Sequence, residues 1–175
     1  MKILKQFFSL FAVVLTLSIA VPSLGMAQQI EKLGQFTDWS AYRYNHNGKP
    51  ACFMASQPKK AEGNYTRRGQ IHYLVSHRAA DEIRDENSFV AGYTFKADSR
   101  VSVAIGGKAF TLFTKGDTAW ARNEDDRGLT EAMIKGSTMV VKGTSSRGTE
   151  TVDTFSLSGF TAGYRAMSKA CGIEP

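Results

Sequence analysis

Apolar positions recur at every second residue over most of this chain, the spacing of strands with one covered face. The clearest case runs from Val101 to Leu112. Val101, Val103 and Ile105 alternate with small or polar neighbours, Gly106 and Gly107 follow, and Phe110 and Leu112 resume the alternation. A two-residue glycine turn pairs Ile105 with Lys108, Val103 with Phe110 and Val101 with Leu112, so turn length and hydrophobic phase specify the same register. Upstream, Trp39, Ala41 and Arg43 on one parity and Tyr42 and Tyr44 on the other predict a strand. Asn45, His46, Asn47 and Gly48 predict a turn, and Ala51 to Ser56 a second strand with Cys52 and Met54 facing inward. Ile71, Tyr73, Val75 and His77 predict another, and Thr118 to Ala121 a short one carrying Trp120. A last hairpin joins Met139–Thr144 to Thr149–Leu157. Its parity slips between Val152 and Phe155, which predicts a bulge near Asp153 or Thr154.

Two segments change period. Leu129, Ala132 and Met133 recur at helical spacing, ending on Lys135 and Gly136, and predict a short helix over an open edge or end of the sheet after a polar connection at 123–128. Phe160, Tyr164, Met167 and Cys171 share one helical stripe, with Ser158 or Thr161 as cap and Gly172 past the end. The fold expected is mainly β: an antiparallel β-sandwich or partly closed barrel with two short helices, the C-terminal one packed on the sheet. It occupies 36–175 as a single domain after a flexible lead-in at 28–35.

Residues 1–27 read as an address label. Lys2 and Lys5 precede an apolar run from Phe7 to Val21, and Gly25 and Ala27 stand at −3 and −1 of a cleavage site after Ala27. The competing reading is an uncleaved anchor, but the run of about 15 residues falls short of the roughly 20 that span a bilayer. Export bears on the cysteines. Cys52 and Cys171 are the two present, and in an oxidising compartment they are expected to form a structural disulfide. Cleavage also removes two lysines, taking the formal charge of +6 down by two, to +4. Acidic and basic residues are interleaved, a balance that favours anionic surfaces without implying nucleic acid.

The most basic stretch is 59–69, holding Lys59, Lys60, Arg67 and Arg68 with Tyr65 among them. These four cations are the candidate contacts for an anionic or glycan-bearing surface, since arginine forks match carboxylate, phosphate and sulfate oxygens. The alternative is a solvated connection of no special role. Asn64, Tyr65 and Thr66 spell a glycosylation sequon, a match of little weight behind a leader that is compatible with a bacterial signal. His72 and His77 fall on opposite strand faces and cannot grip one metal. Asp81, Glu82, Asp85 and Glu86, broken by Arg84, read as a hydrated turn. Gly106 and Gly107 lack the lysine, serine and helix of a phosphate loop. No serine elbow, Cys/His pair with a free thiol or His/Glu metal motif is present, so no catalytic, cofactor-binding or metal-ligating residue is assigned.

Several blocks together resemble one family. Trp39–Tyr42, Ala51–Ala55, Gly107 with Phe110–Leu112, Thr118–Ala121, Glu131–Met133 with Lys135 and Gly136, Val141–Ser145 and Ser156–Thr161 are similar to the invasion-associated locus B family of exported alphaproteobacterial proteins. Many relatives carry a cysteine four residues after the tryptophan; here Arg43 stands there, which leaves Cys171 as the partner of Cys52. The resemblance implies a periplasmic, outer-membrane-associated or secreted β-rich protein, linked in some pathogens to host-cell entry, and supplies no catalytic residues. The function expected is therefore non-enzymatic binding of an envelope component or a host-surface protein or glycan, without a cofactor. The competing readings are an envelope hydrolase and a periplasmic chaperone or inhibitor acting through a strand edge.

Overall fold

The computed structural model describes residues 29–174; the expected leader at 1–27 lies outside the described residues. Eleven strands and two helices follow in the order β1 (Glu31–Phe36), β2 (Trp39–His46), β3 (Lys49–Ser56), β4 (Lys60–Gly63), β5 (His72–Arg78), β6 (Ile83–Val90), β7 (Arg100–Ile105), β8 (Lys108–Lys115), β9 (Thr118–Trp120), α1 (Asn123–Lys135), β10 (Thr138–Thr144), β11 (Glu150–Ser156) and α2 (Phe160–Ala170). The glycine hairpin has the expected register, with Ile105 opposite Lys108, Val103 opposite Phe110 and Val101 opposite Leu112.

All eleven strands form one antiparallel sheet in the order β1-β2-β3-β5-β6-β9-β8-β7-β10-β11-β4. It folds over on itself as a sandwich does and does not close into a barrel, because β1 and β4 remain as edges. The chain reveals the fold-over: β4 lies at the far edge of the sheet, yet follows β3 in the opposite half after three residues. Across the fold, Trp39 Nε1 donates to the Ser156 carbonyl at 3.0 Å, and Phe155 meets Tyr73 and Phe89 at ring-centroid distances of 5.9 and 6.2 Å. One core results, in which Trp39, Tyr73, Phe89, Leu112, Met139, Phe155 and Phe160 are fully buried. Burying each large side chain stabilises by roughly 1.5–3 kcal/mol.

Helix α2 packs on β1, β2 and β3, and its stripe Phe160, Tyr164, Met167 and Cys171 is buried. Cys171 is bonded to Cys52 on β3, 119 positions earlier in the sequence. Neither Ser158 nor Thr161 caps this helix. Gly159 stands at the N-cap with φ of 84° and no side-chain hydrogen bond. A Cβ there would lie 2.0 Å from the Phe36 carbonyl oxygen, so close approach of β1 requires glycine where a serine would serve a free helix. Thr161 instead donates to the Ile134 carbonyl of α1.

The alternation pattern missed or misplaced several elements. The lead-in at 28–35 is largely strand, since β1 pairs with β2, and part of the 59–69 loop is β4, paired with β11. α1 begins at Asn123, its first turn holding Glu124, Asp125 and Asp126, a charge placement that complements the helix dipole. It packs on β6, α2 and β8, at an end of the fold and away from both edges. Asp81 belongs to a 3-10 turn at Ala79–Asp81, while Arg84, Asp85 and Glu86 lie in β6. No bulge occurs at Asp153 or Thr154: β10 and β11 pair without a break. Thr151, Asp153, Phe155 and Leu157 all face inward, so the apparent slip was a buried carboxylate occupying an apolar position.

Candidate functional site

Polar chemistry gathers at two places, on either end of β11. The first lies beneath the helices. The β5–β6 ladder pairs Ser76 with Glu86 and Arg78 with Ile83, so His77 faces both Arg84 and Asp85 in a bulge, and Asp85 takes a φ of 60°. The Asp85 backbone N–H donates to His77 Nδ1 at 3.1 Å, leaving Nε2–H to donate to the Ser168 hydroxyl of α2 at 3.1 Å. The Tyr164 hydroxyl donates to Asp85 Oδ1 at 2.7 Å. Asn87 extends the network to α1, its backbone N–H donating to Asp126 Oδ1 at 2.8 Å and its Nδ2 to Thr130 Oγ1 at 3.0 Å.

Ser168, His77 and Asp85 have the residue types of a hydrolase relay, and their geometry opposes one. Ser168 and His77 are 0% exposed and Asp85 1%, so no substrate reaches the hydroxyl. A relay needs Nδ1–H donating to the carboxylate; here Nδ1 accepts the Asp85 N–H and stands 3.8 Å from Oδ1. Burial lowers the His77 pKa to about 4, against the pull of Asp85, and raises that of Asp126 to about 6, against the Asn87 hydrogen bonds. This network joins helices to sheet beside the disulfide, Cys52 being the register partner of His77.

The second place lies at the start of β11. A groove of about 540 Å³ runs between the 64–67 loop, the segment after β6 and the β10–β11 turn, lined in part by Asn64, Tyr65, Arg67, Tyr93, Ser146 and Arg147. Under it sits Arg68. Its Nη1 and Nη2 donate to the two Asp153 oxygens at 2.7 and 2.6 Å, and its Nε donates to the Ala91 carbonyl at 2.7 Å. The guanidinium carbon lies 5.4 Å from the Tyr65 ring centroid and 4.9 Å from that of Tyr93, within cation–π range of both. Burial pushes the Asp153 carboxyl up, with Arg68 pulling it back. For Arg68, burial works against the charge, and the hydrogen bonds and field of Asp153 more than offset it.

The loops that carry this groove are clamped. Gly69 N–H donates to the Gly92 carbonyl at 2.8 Å, and a Cβ on Gly92 would come within 2.5 Å of the Gly69 oxygen. Tyr93 shares a hydrogen bond of 2.6 Å with the Thr151 hydroxyl, and the Tyr65 hydroxyl donates to the Ala61 carbonyl at 3.1 Å. Both rings are thus held from the phenol end and by the same buried cation.

The four cations expected to act as one patch are dispersed by the fold. Arg68 is corrected from surface contact to internal support: its side chain is 4% exposed and its charge is matched by Asp153 at 1%. Lys59 pairs with Asp38 and Lys60 with Glu62 at 2.8 Å, both away from the groove lining. Arg67 alone of the four lines the groove. The structure adds Arg147, 80 residues away in sequence and equally exposed; neither Arg67 nor Arg147 has an ion-pair partner among the described residues. Sequence reasoning passed over Arg147 because it stood alone in a Ser-Ser-Arg-Gly turn. Among the described residues no three His, Cys, Asp or Glu side chains converge as metal ligands, and no helix is long and apolar enough to cross a membrane.

Both edge strands are poor templates for pairing. β4 is four residues long and carries Lys60 and Glu62, and β1 is charged at Glu31 and Lys32 with an irregularity between Lys32 and Gly34. Short, charged or bulged edges resist strand addition, which removes support from a chaperone acting through one.

The profile of the Invasion associated locus B (IalB) protein family matches residues 39–168. Among solved structures the chain is similar to the crystal structure of invasion associated protein b from Bartonella henselae, at 16% identity and a TM-score of 0.57, covering 78% of this chain and 94% of that one. At that identity the likeness is one of fold. No curated protein matches the chain.

Proposed function

The chain belongs to the invasion associated locus B family, and from that premise we propose that it is an exported, non-enzymatic binding protein that attaches to an anionic component of the cell envelope or of a host surface. The observation that carries this reading is the contrast in exposure among its polar clusters. The hydrolase-like residues are sealed and bonded to one another, whereas Arg67 and Arg147 stand unpaired at an open groove. Export is supported by the leader pattern at 1–27 and by the Cys52–Cys171 bond, since disulfides persist in oxidising compartments. The solved structure it resembles is that of an invasion associated protein; a role at a host surface is the form this proposal takes for a pathogen, and an envelope role its form elsewhere.

Attachment of the purified protein to envelope fractions and to host cells tests the reading. The R67Q/R147Q variant is expected to lose most of that attachment, and K59S/K60S to keep it. Wild-type protein that sediments with neither material would overturn the proposal.

A further inference from the structure

We infer that the groove over Arg68 is a subsite for one acidic sugar residue of a polysaccharide, its ring against Tyr65 and Tyr93 and its carboxylate or sulfate on Arg67 and Arg147. The inference rests on the binding-protein reading above and names the ligand class.

Four features of the groove select this chemistry. Its volume, about 540 Å³, falls in the range of small-ligand sites and far exceeds the needs of a bare inorganic anion. Its lining includes two arginines and no carboxylate, so a bound anion meets attraction without an opposing charge. The remaining lining is almost entirely hydroxyl and amide, from residues such as Asn64 and Ser146, with no aliphatic side chain larger than threonine. That surface matches the many hydroxyls of a sugar and offers nothing to a lipid chain; the exposed large apolar residues, Ile30 and Phe113, lie elsewhere. The two tyrosines supply flat, partly apolar walls for the C–H faces of a pyranose ring.

The buried Arg68–Asp153 pair then has a purpose beyond its own bonds. Arg68 lies within 5.4 Å of both ring centroids, and each phenol hydroxyl is bonded internally. The rings are ordered before any ligand arrives, and binding forgoes the roughly 0.5–1.5 kcal/mol per side chain that ordering otherwise costs. Arg68 is a positioning residue in this scheme, touching the rings and not the sugar.

Calorimetry on the exported, oxidised protein tests the inference with four probes: an oligogalacturonate hexamer, a heparin hexasaccharide, neutral cellohexaose and sodium sulfate. At least one acidic oligosaccharide is expected to bind roughly tenfold or more tightly than cellohexaose, with R67Q/R147Q weakening it by a similar factor and K59S/K60S leaving it unchanged. Oligogalacturonate binding points to carboxylate polymers of a bacterial envelope, and binding of heparin alone to sulfated host glycans. Cellohexaose binding as tightly as the acidic sugars, an unchanged affinity in R67Q/R147Q, or full displacement by equimolar sulfate overturns the inference. If every oligosaccharide fails while attachment to envelope or cells persists, the sugar assignment falls and the binding-protein reading stands. If attachment is absent as well, both fall.

Discussion

Beyond the last residue of β11, where α2 is bonded to β3, the buried polar groups are spent on one another. His77, Asp85, Tyr164, Ser168, Asn87 and Asp126 close a network whose exposed partners include Arg84 and Arg127, each 3.5 Å from Asp85. Towards the start of the same strand, one buried ion pair, Arg68 with Asp153 of β11, holds two tyrosines while two further arginines face water unpaired. The same ingredients therefore serve cohesion at one end and presentation at the other. What separates the ends is the cover: two helices seal the first, and only loops and a turn surround the second.

The largest expected effect comes from breaking the support at the groove end. Asp153→Ala leaves a buried guanidinium uncompensated and should cost about 3–5 kcal/mol in urea unfolding. The double replacement R68M/D153L removes both charges and is expected to recover much of that loss. It should still lose binding, because the tyrosines no longer pack on a cation. Recovery of binding with stability would show that the pair serves cohesion here too.

Removing the bond at the helix end is next. C52S/C171S should lower stability by about 2–5 kcal/mol, read from the urea midpoint, while the folded fraction keeps its groove and its ligand. A fold that retains α2 but loses the groove would mean the two ends are coupled.

Acid probes the helix end more finely. His77 titrates near 4 in the folded chain, from an ordinary value of 6.5, so the unfolded chain binds the proton first and the stability His77 contributes above pH 6.5 is lost as pH falls towards 4. Asp126 titrates near 6, from 3.8; here the folded chain binds the proton first, and stability rises as pH falls from 6 towards 3.8. Each shift corresponds to about 3 kcal/mol at most, and the two oppose each other. Wild-type stability should be nearly flat between pH 6 and 4, and D126N should become progressively less stable across that interval. An equally flat D126N profile would refute the assignment to His77.

The smallest expected effect on stability is at the exposed arginines. R67Q/R147Q should shift unfolding by less than about 0.5 kcal/mol, as surface changes usually do, while weakening binding. That pairing of a large functional effect with a small structural one is the sharpest mark of a presenting surface.

The period-two pattern by itself determined most of the ladder, because a one-residue slip exposes a whole apolar face and so a strand with one buried side can hold only one register. Helical spacing determined the stripe ending in Cys171, and a chain with two cysteines left Cys171 as the partner available to Cys52. Neither pattern determined where polar groups go, since an aspartate at an inward position reads as a break until its partner is in view. Asp153 imitated a bulge and Asp85 a hydrated turn, and Arg68 looked like the most reachable cation in a basic loop. Folding placed Arg68 of one segment against Asp153, 85 residues on, and brought Arg67 beside a groove that Arg147 shares. Desolvation cost makes each such decision: a buried charge is tolerated only beside its opposite, and which opposite lies near is a property of the folded sheet.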